Sequence, residues 1–313
     1  MSIIFIGTPE FAVPSLRRLA AAGHDIRAVI TQPDRPAGRG RQMRASPVKE
    51  AALELGLMIL QPTSLRDEAV LERMRGIQPE VMAAVAYGQI LRPEVLAIAP
   101  KGVVNVHPSL LPRYRGPSPI QSAILSGDDV TGVTIMLMDA GTDSGPVLAQ
   151  QEVAIEAEDT GGSLSGQLAD VGARLLADTL RSWLDGEVTP APQDDDQATA
   201  TRLLRKEDGL IDWTQSAAQI SRQVRAFNPW PGSFTRFAGE KLNIWQALPV
   251  EGSHALNPGE VVALPSGPAG APIAVTTGDG LLVPVEVQRE GRKRVAAADF
   301  ARGARGVIGT RLG

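Results

Sequence analysis

The sequence predicts an α/β protein with two domains: a Rossmann-like, doubly wound, mostly parallel sheet, followed by a small OB-like β-barrel. In the first half of the 313-residue chain, apolar runs rich in valine and isoleucine alternate with segments of helical periodicity. That alternation is typical of a parallel sheet covered by helices on both faces. In the last third, short apolar runs separated by glycine and proline favour a small barrel. A chain of this length is also expected to form more than one domain.

Six strands and five helices are predicted in the first domain. The strands cover residues 2–7, 25–31, 57–60, 81–86, 102–107 and 132–138. The helices cover residues near 11–22, 48–55, 67–75, 118–125 and 163–184. Helix boundaries carry their own signals, because Ser46 and Pro47 begin the second helix and Gly56 lies just past its end.

A connector rich in proline and aspartate separates the two patterns. Residues 189–206 show no periodicity, so we predict an interdomain linker between a domain at 1–188 and another at 207–313. Beyond the linker, one helix is predicted near residues 216–226. Short strands are predicted at residues 233–237, 241–248, 259–264, 273–277 and 281–287.

Composition restricts the chemistry. The chain has no cysteine, which excludes a disulfide framework, a thiolate metal site and a cysteine nucleophile. Its histidines, His24, His107 and His254, are too few for a polyhistidine site, so no metal is expected. No apolar run approaches the roughly 18 residues that a membrane span needs, and residues 1–7 have the pattern of a core strand rather than a signal peptide. We therefore expect a cytoplasmic protein without a membrane partner.

Two basic clusters lie on a chain whose formal net charge is −4. The first cluster consists of Arg35, Arg39, Arg41, Arg44 and Lys49. The second lies in the C-terminal tail and consists of Arg289, Arg292, Lys293, Arg294, Arg302, Arg305 and Arg311. Local positive charge on a mildly acidic protein favours an anionic docking surface. Ordinary solvated surface charge is the alternative, above all for the tail.

Polar side chains with catalytic potential are concentrated between residues 104 and 145. The strand at 102–107 delivers Asn105 and His107 to one face, because side chains along a strand alternate. An open α/β sheet binds ligands at the carboxyl ends of its strands, where His107 lies. Asp143 follows the next apolar strand, and we expect the strand ends to bring it to the same place. Singly, each fits a structural turn residue; together, an amide, an imidazole and a carboxylate can move an acyl group between amines.

The first strand ends in a turn that partly matches a dinucleotide-binding fingerprint. Gly7 is followed by Thr8 and Pro9, and the second glycine that lets the backbone approach a pyrophosphate is missing. Pro9 also removes a backbone donor. A nicotinamide dehydrogenase is therefore excluded. The arginines of residues 31–41 suit phosphate contact, although a disordered surface loop is the alternative.

These motifs together resemble the family of formyltransferases that use 10-formyltetrahydrofolate. The resemblance covers essentially the whole chain, and its marks are the Asn105-x-His107 and Asp143 constellation and the loop at 109–112. Further matching segments lie at residues 5–12, 31–40, 46–49, 86–88, 119–121, 131–134, 211–213 and 225–231. The arginines of 31–40 and the C-terminal domain are similar to the branch of the family that acts on tRNA.

The resemblance implies a function and a role for individual residues. The implied reaction moves the formyl group of 10-formyltetrahydrofolate to the free α-amino group of methionine on initiator Met-tRNA. Asn105, His107 and Asp143 match the catalytic trio, and the folate-binding loop is matched by Ser109, Leu110, Leu111 and Pro112. Arg39 matches the arginine that positions the 3′ end of the tRNA. The tRNA contacts expected overall are Arg35, Arg39, Arg41, Arg44, Lys49, Arg292, Lys293 and Arg294. A monomer is expected.

Elementary chemistry agrees with the implied reaction. An α-amino group has a pKa near 8, so a useful fraction is an uncharged nucleophile at neutral pH and no enzyme nucleophile is needed. The Asn105 amide and His107 can donate to the oxyanion that forms, while Asp143 supports proton transfer. Two alternatives remain open. The first is another enzyme of the same family, either a formyltransferase that acts on a nucleotide-sugar amine or a hydrolase that splits 10-formyltetrahydrofolate. The second is a tRNA- or oligonucleotide-binding protein without catalysis. The second leaves the trio unexplained.

Overall fold

The structure, a computed structural model, describes residues 2–37, 42–252, 257–304 and 306–313. Four residues of the sequence analysis lie outside the described residues: Arg39, Arg41, His254 and Arg305. The chain divides into two compact units. The first unit comprises residues 1–119, 130–154 and 165–201, and the second comprises 120–129, 155–164 and 202–313. The predicted boundaries of 1–188, 189–206 and 207–313 remain a prediction, although the first unit includes residues 189–201 of the expected linker.

The first unit is built on a sheet with helices between its strands. The strands of this half of the chain are β1 (Ser2–Gly7), β2 (Asp25–Ile30), β3 (Arg35–Ala37), β4 (Gln42–Arg44), β5 (Ile59–Leu60), β6 (Val81–Val85), β7 (Val103–His107), β8 (Val130–Leu137) and β9 (Val147–Ala154). The helices of the same half are α1 (Val13–Ala21), α2 (Pro47–Glu54), α3 (Glu68–Ile77), α4 (Pro93–Leu96), α5 (Pro119–Ser126) and α6 (Gly161–Leu184). Nearly all of α5 and the first residues of α6 belong to the second unit. Ser46 caps α2 as expected, since its side chain accepts a hydrogen bond from the backbone of Lys49.

Seven strands form the main sheet in the order β5-β2-β1-β6-β7-β8-β9. The first five strands in this order, β5, β2, β1, β6 and β7, pair in parallel, whereas β8 and β9 are antiparallel to their neighbours. The continuous apolar runs of β1 and β6 are buried along nearly their whole length, as a sheet covered on both faces requires. The predicted Rossmann-like, mostly parallel fold is therefore confirmed.

The sequence does not predict the edge strand β9 or the short β3–β4 hairpin. Strand β9 is largely exposed and carries Gln150, Gln151 and Glu152, so it has neither a continuous apolar run nor a clean alternation. Its pairing to β8 holds it in place through backbone hydrogen bonds. A strand that buries little surface leaves little signal in its sequence.

The second unit contains an antiparallel sheet that curls into a half-barrel. Its strands are β10 (Ser233–Phe237), β11 (Glu240–Val250), β12 (Val261–Ala263), β13 (Ile273–Thr276), β14 (Leu281–Arg289) and β15 (Val295–Ala296). Its further helices are α7 (Ala217–Ala226) and α8 (Ala297–Gly303). The strands are arranged β10-β11-β14-β13-β12, with β15 beside β14, over a core that includes Trp213, Ile220 and Phe300. The predicted small barrel-like domain is confirmed, while β15 and α8 are additions.

Candidate active site

Strand β7 positions the first two members of the expected trio. It lies between β6, to which it is parallel, and β8, to which it is antiparallel, so its backbone is fixed from both sides. Asn105 and His107 are two residues apart and therefore lie on the same face of β7. His107 is buried at 4% exposure. Asn105 is half-buried, and no described residue hydrogen-bonds its side chain, which leaves the amide available to a substrate.

The hydrogen bonds of His107 define which ring nitrogen is available for chemistry. Its Nε2 lies 2.9 Å from the carbonyl oxygen of Tyr114. Because a carbonyl only accepts, Nε2 carries the proton of this bond. The other nitrogen, Nδ1, faces Oδ2 of Asp143 at 3.6 Å, too far for a direct hydrogen bond but close enough for the carboxylate to stabilise the ring electrostatically when the ring is protonated.

Burial dominates the protonation of this ring. It lowers the pKa of His107, while the Asp143 carboxylate and the Tyr114 carbonyl raise it by less. At neutral pH the ring is therefore neutral, with a proton on Nε2 and a lone pair on Nδ1 directed toward a carboxylate. A proton that arrives on Nδ1 creates an imidazolium, which the nearby Asp143 stabilises. The pair is suited to take up a proton during a reaction and release it again.

A loop brings Asp143 to His107, whereas the sequence predicts that the end of a strand does so. Strand β8 is antiparallel to β7, with Leu137 opposite Val104, so the end of β8 lies at the beginning of β7. The expectation that strand ends bring the trio together is wrong for Asp143. Residues 138–146 instead form a loop, and the backbone N–H of Gly116 donates to Asp143 Oδ2 at 2.8 Å.

Two residues of the site have left-handed backbone conformations that non-glycine residues rarely adopt. These are Asp143, with φ 50°, and Tyr114, with φ 60°. Each such residue costs on the order of 1–3 kcal/mol and persists only where the surrounding contacts determine it. One of the two residues supplies the carboxylate at His107, and the other supplies the carbonyl that His107 binds. Both backbone conformations therefore have to be held by neighbouring contacts for the site to keep this geometry.

The predicted folate-binding loop is held by a buried threonine of β8. The Thr134 hydroxyl donates to the Ser109 carbonyl at 2.6 Å and accepts from the Leu111 backbone at 3.0 Å. Gln150 of β9 donates to the Leu111 carbonyl and to Thr134. Ser109 is fully buried, and its hydroxyl donates to the Arg113 carbonyl at 2.6 Å. The side chain of Ser109 therefore stabilises the loop from within.

Leu110 and Pro112 are the half-buried members of the same loop. Leu110 packs over Gly132, where an added Cβ would lie 2.5 Å from Leu110 Cδ2 and 2.3 Å from the Gln151 carbonyl oxygen. Only glycine at position 132 lets the loop approach the sheet this closely. Leu111, in contrast, is buried at 5% exposure.

Sequence reasoning missed the part played by the expected linker. Residues 191–201 lie along the loops of the first unit, with a bridge between Ala191 and Val147 and another between Ala200 and Arg115. Thr199 accepts a hydrogen bond from the Tyr114 backbone at 2.8 Å through its hydroxyl. The segment lacks periodicity because individual hydrogen bonds, rather than a buried face, hold it in place. Such a segment has no apolar face to reveal it.

The basic residues of the first cluster differ in their surroundings. Arg35 and Arg44 are exposed and face each other across the β3–β4 hairpin, with Arg35 also donating to Gln32. Lys49 instead pairs with Asp34 at 2.7 Å, and its side chain is only 21% exposed. Hydrogen bonds from Lys49 and Gln61 lower the pKa of Asp34. Lys49 as a tRNA contact stays a prediction, with a structural role as the competing explanation.

Three members of the second cluster, Arg292, Lys293 and Arg294, lie at the turn between β14 and β15. Arg292 and Lys293 are exposed there. The Arg294 guanidinium lies 3.8 Å from the centre of the Trp245 ring and 3.4 Å from Glu286. Their contacts with tRNA also stay predictions.

Within residues 2–37, 42–252, 257–304 and 306–313, no group of three or more histidines or carboxylates is placed to hold a metal ion. Over the same residues, no helix has the length and apolarity to cross a membrane.

Two family models match most of the chain, and relatives match all of it. The formyl transferase model matches residues 1–180, and the model of the formyl transferase C-terminal domain matches residues 203–305. A methionyl-tRNA formyltransferase of Roseiflexus sp. (strain RS-1) is 49% identical over 100% of this chain and 95% of the relative. A methionyl-tRNA formyltransferase of Solibacter usitatus is 47% identical over 100% of this chain and 99% of the relative.

Solved structures with low sequence identity show the same fold. The N-formyltransferase of Helicobacter canadensis, in complex with folinic acid and dTDP-3-aminofucose, is 17% identical with a TM-score of 0.69, covering 92% of this chain and 98% of that one. HypX from Aquifex aeolicus in complex with tetrahydrofolic acid is 18% identical with a TM-score of 0.63, covering 98% of this chain and 48% of that one. The chain therefore belongs to the formyl transferase family, among its methionyl-tRNA formyltransferases.

Proposed function

We propose that this protein transfers the formyl group of 10-formyltetrahydrofolate to the α-amino group of methionine on initiator Met-tRNA, in the cytoplasm and as a monomer. The observation that carries the proposal is the buried His107–Asp143 pair, with Nδ1 facing the carboxylate at 3.6 Å on the same side of β7 as the Asn105 amide. The identity of 47–49% with methionyl-tRNA formyltransferases over the whole chain supports the choice of acceptor.

The reaction exchanges one amide bond for another. The neutral α-amino nitrogen attacks the formyl carbon, a new C–N bond forms and the carbonyl oxygen becomes an oxyanion. The Asn105 amide, which has no hydrogen-bond partner among the described residues, donates to this oxyanion. The C–N10 bond then breaks and the carbonyl re-forms. The products are the formylated amine and tetrahydrofolate.

One proton must move from the attacking nitrogen to the departing N10. The lone pair on His107 Nδ1 accepts this proton, and Asp143 Oδ2, 3.6 Å away, stabilises the imidazolium. The same nitrogen returns the proton to N10, so the enzyme is unchanged after one turnover. The hydrogen bond from Nε2 to Tyr114 keeps the ring in the required tautomer throughout.

The proposed reaction also assigns residues that bind folate and tRNA. We propose that Leu110 and Pro112, half-buried at the surface of the loop, contact the folate. Ser109 shapes the loop through its hydrogen bond to Arg113, and Leu111 through its hydrogen bond to Thr134 of β8. We propose that Arg35, Arg39, Arg41 and Arg44 contact tRNA phosphates. Arg292, Lys293 and Arg294 are proposed as further contacts.

An acceptor comparison tests the proposal. The protein is incubated with 10-formyltetrahydrofolate and, in parallel, initiator Met-tRNA, elongator Met-tRNA, a nucleotide-sugar amine or no acceptor. We expect formyl transfer to initiator Met-tRNA well above the other reactions. Preferential transfer to the sugar amine, or release of formate without an acceptor, would replace the proposal with one of the two family alternatives.

A further inference from the structure

The connecting segment, residues 191–201, places one glutamine against both loops of the candidate active site. Its backbone is fixed near Val147, because Ala191 exchanges hydrogen bonds with that residue at 2.8 and 2.9 Å. Farther along, Thr199 and Thr201 exchange backbone hydrogen bonds with Arg115 at 2.8 and 2.7 Å. Gln193 lies between these two anchor points. Hydrogen bonds on both sides of Gln193 therefore fix the backbone that carries it.

Gln193 uses every hydrogen-bonding position of its side chain. Its Nε2 donates to the carbonyl oxygens of Asp143 at 2.9 Å and Gly145 at 2.7 Å. Its Oε1 accepts from Nε and a terminal nitrogen of Arg115 at 3.0 and 2.8 Å. A glutamine amide has two N–H donors and an oxygen with two lone pairs, so the arrangement is fully satisfied. A fully bonded side chain of this kind has one defined position.

These four bonds join the two segments that carry the chemistry. One segment contains Asp143, and the other contains Tyr114 and Gly116, which bind His107 and Asp143 respectively. Both Asp143 and Tyr114 have positive φ and need external contacts to remain there. Gln193 supplies such a contact directly at the Asp143 carbonyl. Thr199 supplies the corresponding contact at Tyr114.

We infer that Gln193 is a positioning residue for formyl transfer, which holds Asp143 at His107 by binding the Asp143 and Gly145 carbonyls. Gln193 acts through Asp143 and has no contact with the reacting atoms. The inference rests on the proposed function for its kinetic consequences. Its geometric consequence, the placement of Asp143 beside the His107 ring, is independent of the acceptor.

Two substitutions separate the hydrogen bonds from the packing. Gln193→Met keeps the length of the side chain and removes all four bonds. Gln193→Glu keeps an acceptor for Arg115 but sets a second oxygen against two carbonyl oxygens. Gln197→Glu is the matched control, because it makes the same change of charge in the same segment. The Gln197 side chain donates to the exposed Asp194 at 2.7 Å and, among the described residues, hydrogen-bonds neither loop of the site.

In formyl transfer with initiator Met-tRNA, we expect kcat to fall about 10- to 100-fold in both Gln193 variants, as for a catalytic group displaced by about 1 Å. KM for 10-formyltetrahydrofolate should change little, and Gln197→Glu should behave as wild type. In an Asp143→Asn background, Gln193→Met should add little further loss, because residues that act as a unit are not additive. Wild-type kcat in Gln193→Met, or full additivity with Asp143→Asn, would overturn the inference.

A spectroscopic measurement separates this inference from the proposed function. The ring nitrogens of His107 are observed by 15N NMR, and their signals are assigned by their loss in His107→Ala. We expect these signals to shift in Gln193→Met and to remain in place in Gln197→Glu. Unchanged His107 signals in Gln193→Met overturn the inference whatever the enzyme formylates. Failure of the wild-type protein to formylate Met-tRNA overturns the proposed function alone.

Discussion

At His107, one buried ring combines two features that the sequence indicates only in part. The residue types and their spacing predict that Asn105, His107 and Asp143 form the site. The tautomer depends on the Tyr114 carbonyl, which accepts a hydrogen bond from Nε2 at 2.9 Å, and Tyr114 itself has a positive φ. A left-handed tyrosine cannot be predicted from sequence alone, since no local signal favours it. The trio was therefore predictable, and the assignment of its proton was not.

We predict that loss of the Asn105 amide or the His107 imidazole slows formyl transfer but leaves folate binding nearly unchanged. Asn105→Ala and His107→Ala should each lower kcat about 10²- to 10³-fold, the effect of losing one group that stabilises the transition state. Binding of a folate analogue should change little, because the loop at 109–112 is held by Thr134 and Gln150. Steady-state kinetics and analogue titration measure the two effects. Turnover near the wild-type rate in His107→Ala would contradict the assignment.

The lowered pKa of His107 predicts a contribution to the pH dependence of stability. Below pH 6.5, the ordinary pKa of histidine, His107 binds a proton in the unfolded chain, whereas burial disfavours the protonated ring in the folded protein. The free energy of unfolding should therefore lose a contribution as pH falls from 7 to 5. His107→Gln should show a smaller loss over that range, measured by urea denaturation at each pH. An equal or larger loss in the variant would contradict the direction of the pKa shift.

At the scale of elements, strand β8 organises the loop that precedes it in the sequence. Thr134 makes three hydrogen bonds, to Ser109, Leu111 and Gln150, and it is fully buried. The sequence places this threonine in a strand and the loop after another strand, but it does not show that β8 is antiparallel to β7. Register follows from the whole sheet, so a contact between positions 109 and 134 is not visible locally.

We predict that Thr134→Val weakens both the fold and folate binding. The valine preserves the shape but leaves the Leu111 N–H without its partner, at a cost of about 1–3 kcal/mol in unfolding free energy. The KM for 10-formyltetrahydrofolate should rise with it. Thr131→Val, in the same strand, is the control, because the buried Thr131 hydroxyl has no partner among the described residues. Equal destabilisation by the two substitutions would show that the hydroxyl bonds of Thr134 are not the cause.

At the scale of the whole molecule, the sequence predicted the two architectures and their order along the chain. Continuous apolar strands and regular helices bury large surfaces, so they leave strong periodic signals in the sequence. Strand β9 and residues 191–201 are held by backbone and single side-chain hydrogen bonds, and they leave none. The parts that the sequence does not predict therefore include the connecting segment, which completes the hydrogen bonding of the candidate active site. The amount of apolar surface that an element buries therefore decides whether the sequence predicts it.

For the tRNA, we predict that exposure distinguishes the basic residues that contact phosphates. Arg44→Gln should weaken tRNA binding and reduce the slope of log K against log salt by about 1, as for one lost phosphate contact. Lys49→Met should leave that slope unchanged and lower stability, because Lys49 is paired with Asp34. Titration with tRNA from about 50 to 200 mM salt measures both slopes. A reduced slope in Lys49→Met would return Lys49 to the set of phosphate contacts.

The position of residues 191–201 also has a consequence for the protein while it is being synthesised. Gln193, Thr199 and Thr201 follow all seven strands of the main sheet in the chain, yet they bind loops at 112–116 and 143–145. On the ribosome, the sheet can form first, with Asp143 and Tyr114 still free to leave their strained conformations. The emergence of the connecting segment then completes the site. The site of a nascent chain is therefore complete only after residues 191–201 have emerged and bound the two loops.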